Sequence, residues 1–247
     1  YNSPKIISMI IEKIISLSRV FFCLNRKKEF NSIVTLGKID KADSILDIGS
    51  GEGYWTHKFS KISKQTTGID PDEKAIKDSK RFFQKTSNLK FVKAVVEDIP
   101  FDQNTFDKVV SVSVIEHVEN QKKALEEISR VLKPGGILSI SVDVLNKDNS
   151  SEEFRNWHQD KYFVTSYLEE NELYEMFSVA GIKPIKDETV GIYNSKFAGK
   201  LRSIFIRNRK LLLPFFPLFL ILVAISETLI IGGRQSPQIL ILCGKKA

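Results

Sequence analysis

The chain has 247 residues, a formal net charge of +7 and 42% hydrophobic residues, enough apolar material to bury one large core. Its two cysteines, Cys23 and Cys243, stand far apart in apolar settings. That spacing excludes a disulfide framework and a cysteine metal site, and it suits two reduced packing thiols in a reducing cytosol.

Residues 1–40 read as helical, opened by Ser3-Pro4 as N-cap and first helical position. The apolar run Ile6 to Leu24 lacks a small-residue cleavage site and continues into Arg26-Lys27-Lys28, unlike a signal peptide. A first strand is expected over 44–48, and the run Asp47-Ile48-Gly49-Ser50-Gly51-Glu52-Gly53-Tyr54 turns from it into a helix ending near Lys61. Glycines let the backbone approach a ligand closely, and the helix start aims its N–H groups at it. His57 falls inside that helix and reads as a surface residue. A second strand over 66–69 ends in the acid Asp70, a helix follows over 72–85, and a third strand over 90–95. A fourth strand, 107–112, runs into Val114-Ile115-Glu116-His117-Val118. Glu116 reads as a helix-start acid, and His117 either ties down this loop or handles a proton.

A helix over 119–132 precedes Lys133-Pro134-Gly135-Gly136 and a fifth strand, 137–142. Asn146 to Ser151 is a polar loop, and the aromatic–polar segment Phe154 to Phe163 reads as a substrate lid carrying Trp157, His158 and Tyr162. A helix from Glu169 stops at Gly181, and a strand follows to about Val190. Residues 191–237 form an insertion before a last strand at Ile239 to Cys243. No cluster with metal-ligand spacing is visible.

The strand, glycine turn and acid resemble motif I of class I S-adenosylmethionine-dependent methyltransferases, since the spacing is G-x-G-x-G rather than the dinucleotide G-x-G-x-x-G. Phe106-Asp107-Lys108-Val109, Glu116-His117-Val118 and Arg130-Val131-Leu132-Lys133-Pro134-Gly135-Gly136 resemble segments of the ubiquinone/menaquinone-type group, methyltransferase type 11, over roughly residues 40–145. The resemblance implies a doubly wound, mostly parallel seven-stranded α/β sheet whose last strand inserts antiparallel between the fifth and sixth. It also implies an enzyme with S-adenosyl-L-methionine as cofactor. The implied cofactor contacts are Asp47, Gly49, Ser50, Gly51, Tyr54, Asp70, Pro71, Val96, Glu97 and Ser111, with His117 at the reaction centre and Trp157, His158 and Tyr162 toward the acceptor. Asp70 is placed to accept both ribose hydroxyls. The family's adenine-binding acid falls on Val95 here, so Glu97 or Asp98 shifts into the role or the backbone of Val96 holds the ring. Losing one charged hydrogen bond costs about tenfold in affinity.

The implied organisation is a helical cap (1–40), a cofactor-binding core (41–190), an insertion (191–237) and a last core strand (238–247). Basic charge concentrates beside the two most apolar stretches: residues 1–30 carry net +4 and residues 195–210 net +6. Lys196 to Lys210 precedes Leu211 to Ile231, a run of 21 residues interrupted by Pro214, Pro217 and Glu227. This pattern points to an interfacial or re-entrant element on an anionic membrane surface, with a hydrophobic lid and a spanning helix as the other readings. Nucleic acid is disfavoured, because aromatic residues do not interleave with the basic ones. The expectation is a cytoplasmic methyltransferase, peripheral on the inner face of the membrane, acting on a hydrophobic or lipid-linked small molecule. A lidded enzyme away from the membrane and a non-catalytic cofactor-binding or scaffold protein are the alternatives.

Overall fold

The computed structural model describes residues 24–145, 151–191 and 238–247, together with Ile204, Phe215, Leu218, Phe219, Ile221 and Leu222. In chain order the elements are α1 (Leu24–Leu36), β1 (Ser44–Ile48), α2 (Tyr54–Ser60), β2 (Gln65–Asp70), α3 (Glu73–Phe83), β3 (Leu89–Lys93) and β4 (Phe106–Val112). A 3-10 turn (Ile115–His117), α4 (Gln121–Val131), β5 (Leu132–Val144), α5 (Glu152–Tyr162), α6 (Glu170–Val179), β6 (Ile182–Gly191) and β7 (Gln238–Lys246) complete them.

The strands form one seven-stranded sheet in the order β3-β2-β1-β4-β5-β7-β6. The first five pair in parallel, and β7 runs antiparallel to both β5 and β6. Chain direction across the sheet reverses between β1 and β4, and ligands of open α/β sheets bind beyond the strand ends at such a switch point. Local sequence explains the boundaries. Asp72 caps α3 by accepting from Lys74 N and Ala75 N, and Asn120 caps α4 by accepting from Lys123 N. Gly181, at φ +72°, supplies the left-handed residue that ends α6.

Two cores sandwich the sheet. On one face α1 and α2 contribute Ile33, Leu36 and Phe59 against Ile45, Val110, Ile137, Ile239, Ile241 and Cys243. On the other, Leu125 and Ile128 of α4 and Leu173 and Phe177 of α6 pack on Leu46, Val109, Leu138, Ile140 and Leu242. A smaller cluster of Ile76, Phe83 and Phe91 closes the β3 edge. β1 and the later part of β5 are buried on both sides, as a sheet covered on both faces requires.

Three details refine or correct the sequence reading. His57 is half-buried and stacks on Phe83 of α3 with ring centroids 4.5 Å apart, so it faces an aromatic ring rather than water. The segment expected as an aromatic lid is a regular helix, α5, opened by Glu152 and Glu153 in its first turn. β5 begins at Leu132, which pairs with Phe106, so the strand is longer at its amino end than expected. Cys243 is a buried packing thiol in contact with Ser139 Oγ, as expected, and burial pushes it up to about 11. Cys23 and most of the 191–237 insertion lie outside the described residues. Among those described, no helix is long and apolar enough to cross a membrane.

Candidate active site

The three glycines of the turn differ in what they do. All have positive φ: Gly49 at +70°, Gly51 at +50° and Gly53 at +83°. A Cβ on Gly49 would stand 2.3 Å from Val114 Cγ2, and one on Gly53 2.5 Å from Phe91 Cζ. Those two glycines are packing positions, and Gly49 clamps the turn against the loop after β4. A Cβ on Gly51 would meet nothing within 4 Å. Gly51 therefore presents bare backbone to open space, which is the use of glycine where a ligand must come close.

Asp70 at the tip of β2 organises the same space. Its Oδ2 accepts from Gly51 N at 2.8 Å and its Oδ1 from Asp72 N at 2.9 Å, fixing the carboxylate beside the turn with lone pairs to spare. Ser50 N donates to Ile69 O at 2.9 Å, which ties the turn to β2, and Gly53 N donates to Ser50 O at 2.9 Å, which closes the turn itself. Gly68 makes room for Ser50, since a Cβ there would lie 2.6 Å from Ser50 Cβ. Asp47 is buried and accepts from Thr56 Oγ1 at 2.7 Å. Burial and the neighbouring Asp70 charge push its carboxyl up to about 7, against the opposing Thr56 bond. Ser50 Oγ and Ser111 Oγ are buried without a hydrogen-bond partner. Ser111 sits beside Ile48 in the β1–β4 register, so both orphaned hydroxyls lie at the switch point.

The remaining expected contacts fall nearby in the chain. Pro71 is exposed immediately after Asp70, and Tyr54 starts α2 half-buried with its hydroxyl raised by burial. Val95 is 46% exposed, Val96 is buried, Glu97 is half-buried and Asp98 is exposed. His117 is exposed, with Nδ1 3.3 Å from Phe163 O, and ties the 3-10 turn to the end of α5. Trp157 is 47% exposed, while its neighbour His158 is buried and faces the strand ends. Tyr162 ends α5, and its side chain lies outside the described set.

A second polar centre, at the ends of β4 and β5, was not anticipated. Glu29 of α1 is fully buried and accepts from Ser141 Oγ at 2.5 Å, Ser113 Oγ at 3.2 Å and Arg26 Nη1 at 2.8 Å. Ser113 adopts φ +52°, rare for a residue with a Cβ, while its N–H donates to Ser141. Glu116 is fully buried and its Oε1 accepts from Asp143 N at 3.2 Å. Asp143 Oδ2 lies 3.6 Å from His158 Nε2, whose Nδ1 is 2.8 Å from Tyr167 Oη. Burial first, then the Asp143 charge, pushes Glu116 up to about 8; burial likewise raises Asp143. The signal that could have flagged this centre is Asp143 itself, an acid inside the apolar strand Ile137 to Val144. Among the described residues no group could hold a metal ion. An open depression of about 370 Å³ lined by Ile99, Pro100, Phe101, Asp102 and Thr105 lies at the opposite, amino end of β4 and takes no part.

A mostly parallel sheet with a glycine turn and an acid at its switch point, and with β7 inserted antiparallel, defines a Rossmann-like fold. Residues 46–140 match the family model described as a methyltransferase domain. Over residues 46–140 the chain is similar to methyltransferase domains, those of the ubiquinone/menaquinone type among them. It is 29% identical over 139 residues to the uncharacterized methyltransferase YcgJ of Bacillus subtilis, covering 54% of each. It is 34% identical over 108 residues to the ubiquinone/menaquinone biosynthesis C-methyltransferase UbiE of Haemophilus ducreyi, covering 41% of this chain and 42% of that one. The match to the demethylmenaquinone methyltransferase of Staphylococcus aureus is also 34%, over 103 residues and 40% and 43% of the two chains. The chain thus spans about half the length of the curated relatives it matches. Solved structures extend the likeness of fold: the YcgJ crystal structure superposes with TM-score 0.66 at 18% identity over 89% of this chain and 98% of that one. Haemonchus contortus phosphoethanolamine N-methyltransferase 2, solved with S-adenosyl-L-methionine, gives 0.65 at 18% over 89% and 52%.

Proposed function

We propose that this protein is an S-adenosylmethionine-dependent methyltransferase acting on a hydrophobic or lipid-linked small molecule at an anionic membrane surface. The observation that carries the cofactor reading is Gly51, whose backbone faces open space while its N–H is held by Asp70. Around it the residues fit the cofactor's parts. Asp70 has carboxylate lone pairs left for ribose hydroxyls, and the orphaned hydroxyls of Ser50 and Ser111 lie where polar ligand atoms would satisfy them. Asp47 steadies the turn through Thr56. Tyr54 and Pro71 flank it, and Val96 and Glu97 border the adenine side. With no acid at Val95, the half-buried Glu97 is the better placed carboxylate, since Asp98 is exposed.

When bound, S-adenosylmethionine supplies a methyl group already activated by its sulfonium, so the protein's work is alignment and the exclusion of water. The helices over the strand ends provide that enclosure, α5 above all, with His158 turned inward. The membrane part of the reading rests on the insertion. Phe215, Leu218, Ile221 and Leu222 are exposed and apolar around the buried Phe219, and in sequence they follow the basic run Lys196 to Lys210. Exposed apolar side chains next to basic charge suit the headgroup region of anionic lipid. Calorimetric titration with S-adenosylmethionine tests the cofactor, and sedimentation with vesicles containing anionic lipid tests the surface. No heat of binding would leave a non-catalytic protein, and absence from vesicles would make the apolar insertion a lid.

A further inference from the structure

Adjacent residues of α1, Glu29 and Phe30, bear on the two sides of the cofactor turn. Glu29 works through the loop after β4. Its Oε1 accepts from Ser141 Oγ at 2.5 Å and from Ser113 Oγ at 3.2 Å, and Arg26 Nη1 donates to Ser113 Oγ at 2.7 Å. These bonds, with Ser113 N donating to Ser141 O at 3.1 Å and Ser141 Oγ at 3.0 Å, hold Ser113 at φ +52°. An L-residue keeps such a conformation only where its surroundings over-determine it. The next residue, Val114, fills the space over Gly49, the first glycine of the turn. Phe30 works from the other side. Its ring stacks on Trp55 with centroids 5.0 Å apart, and Trp55 meets Tyr54 edge-on at 4.7 Å. Tyr54 follows Gly53, the last glycine of the turn, and starts α2.

We propose that Glu29 and Phe30 are positioning residues for S-adenosylmethionine: through them α1 sets the shape of the glycine turn, so that seating α1 and binding the cofactor are one coupled equilibrium. The inference rests on the methyltransferase reading and adds a determinant of cofactor affinity that precedes the matched residues 46–140. Glu29 acts without touching the ligand. It is fully buried, and its effect passes through Ser113 to Val114. Gly49 has no Cβ, so its backbone follows the surface packed against it, and the position of Val114 decides where the start of the turn lies. The coupling is reciprocal: a ligand that fixes the turn also fixes α1.

The test uses the full chain and S-adenosylhomocysteine, titrated calorimetrically at a temperature where circular dichroism shows every variant folded. Glu29→Ala should weaken binding about tenfold, the scale of one charged hydrogen bond, and Glu29→Gln, which keeps one acceptor oxygen, should recover part of the loss. In a Val114→Ala background Glu29→Ala should matter about twofold or less, because the link to Gly49 is already cut. Phe30→Leu should weaken binding about two- to tenfold in either background, the range of one aromatic pair. A purely structural Glu29 would lower Tm and leave affinity alone. A Glu29 acting on the ligand itself would cost the same with and without Val114. Either result would overturn the proposal, as would wild-type affinity in Phe30→Leu. Should Glu29→Ala not fold, Glu29→Gln in the two backgrounds and Phe30→Leu carry the same comparison. Failure of the wild-type chain to bind S-adenosylhomocysteine would instead overturn the methyltransferase reading.

Discussion

Gly49 and Gly51, two residues apart, should fail in opposite ways when given a single methyl group. At Gly51 the added Cβ meets no atom within 4 Å, so the only cost to the fold is the φ of +50°. A left-handed backbone costs an L-residue about 1–2 kcal/mol. For a chain of this size that lowers Tm by about 2–8 °C. The methyl group then occupies the space the cofactor needs, and affinity for S-adenosylmethionine should fall at least about tenfold, or 1.4 kcal/mol. At Gly49 the Cβ would stand 2.3 Å and 2.8 Å from the two methyl carbons of Val114. Overpacking of about 1–3 kcal/mol adds to the same backbone strain, for a total of about 2–5 kcal/mol. Val114→Ala removes the clash but not the strain, so Gly49→Ala should cost less in that background. Thermal melts by circular dichroism read the fold, and calorimetric titration reads the ligand. Gly51→Ala binding S-adenosylmethionine as the wild type does would refute the assignment of this turn to the cofactor.

Asp70→Ala should weaken S-adenosylmethionine binding by roughly 2–4 kcal/mol, from two lost charged hydrogen bonds partly replaced by water, with the far-ultraviolet spectrum unchanged. Glu116→Gln should alter the pH dependence of stability. Because the folded-state value is raised from 4.5 to about 8, the folded chain keeps a proton that the unfolded chain releases. The resulting stability is fully present below about pH 4.5 and lost as pH rises through about 8. Wild-type Tm should fall across that window, and Glu116→Gln should flatten the fall and be the more stable protein at pH 9, by on the order of 2–4 kcal/mol. A residual slope below about pH 7 should persist from Asp47, whose carboxyl is raised in the same sense. Reversing Arg202, Arg207, Arg209 and Lys210 to Glu should abolish vesicle attachment, at about 1 kcal/mol for each basic residue near the surface, while leaving cofactor binding nearly intact. Vesicle sedimentation read alongside calorimetry checks both halves.

The cofactor half of the molecule was legible because its chemistry is local. A strand, three glycines at alternate positions and an acid at the end of the next strand lie within residues 44–70, where period and punctuation suffice. Even there, sequence could not say which glycine faces the ligand. Gly49 and Gly53 are fixed by Val114 and Phe91, from loops and strands tens of residues away. The antiparallel β7 was legible only through the resemblance, since Ile239 to Cys243 is equally consistent with a parallel strand. The polar centre at β4 and β5 was read poorly, and for a physical reason. Of the expected pair Glu116-His117, the exposed histidine carried the proton-handling expectation, whereas the 3-10 turn buries the glutamate. Asp143 hides in an apolar strand, and Glu29 among the charges of α1.

The same contrast bears on how this fold divides its labour. The cofactor turn is built from backbone and small side chains, and Gly51 and Asp70 are joined by one hydrogen bond across β1 and β2. Its geometry therefore rests on backbone hydrogen bonds, with Val114 and Phe91 packed against Gly49 and Gly53. The centre at β4 and β5 instead draws Arg26 and Glu29 from α1, Glu116 from the 3-10 turn, Asp143 from β5, His158 from α5 and Tyr167 from the loop after it. These six side chains come from five segments, so a substitution at one alters the polar centre while the sheet's ladder stays in place. Buried acids with unsatisfied oxygens lower the stability of the empty protein and raise the reward for a ligand that satisfies them. On that reasoning Glu116→Gln, which has no charge to bury, should be the more stable protein at alkaline pH.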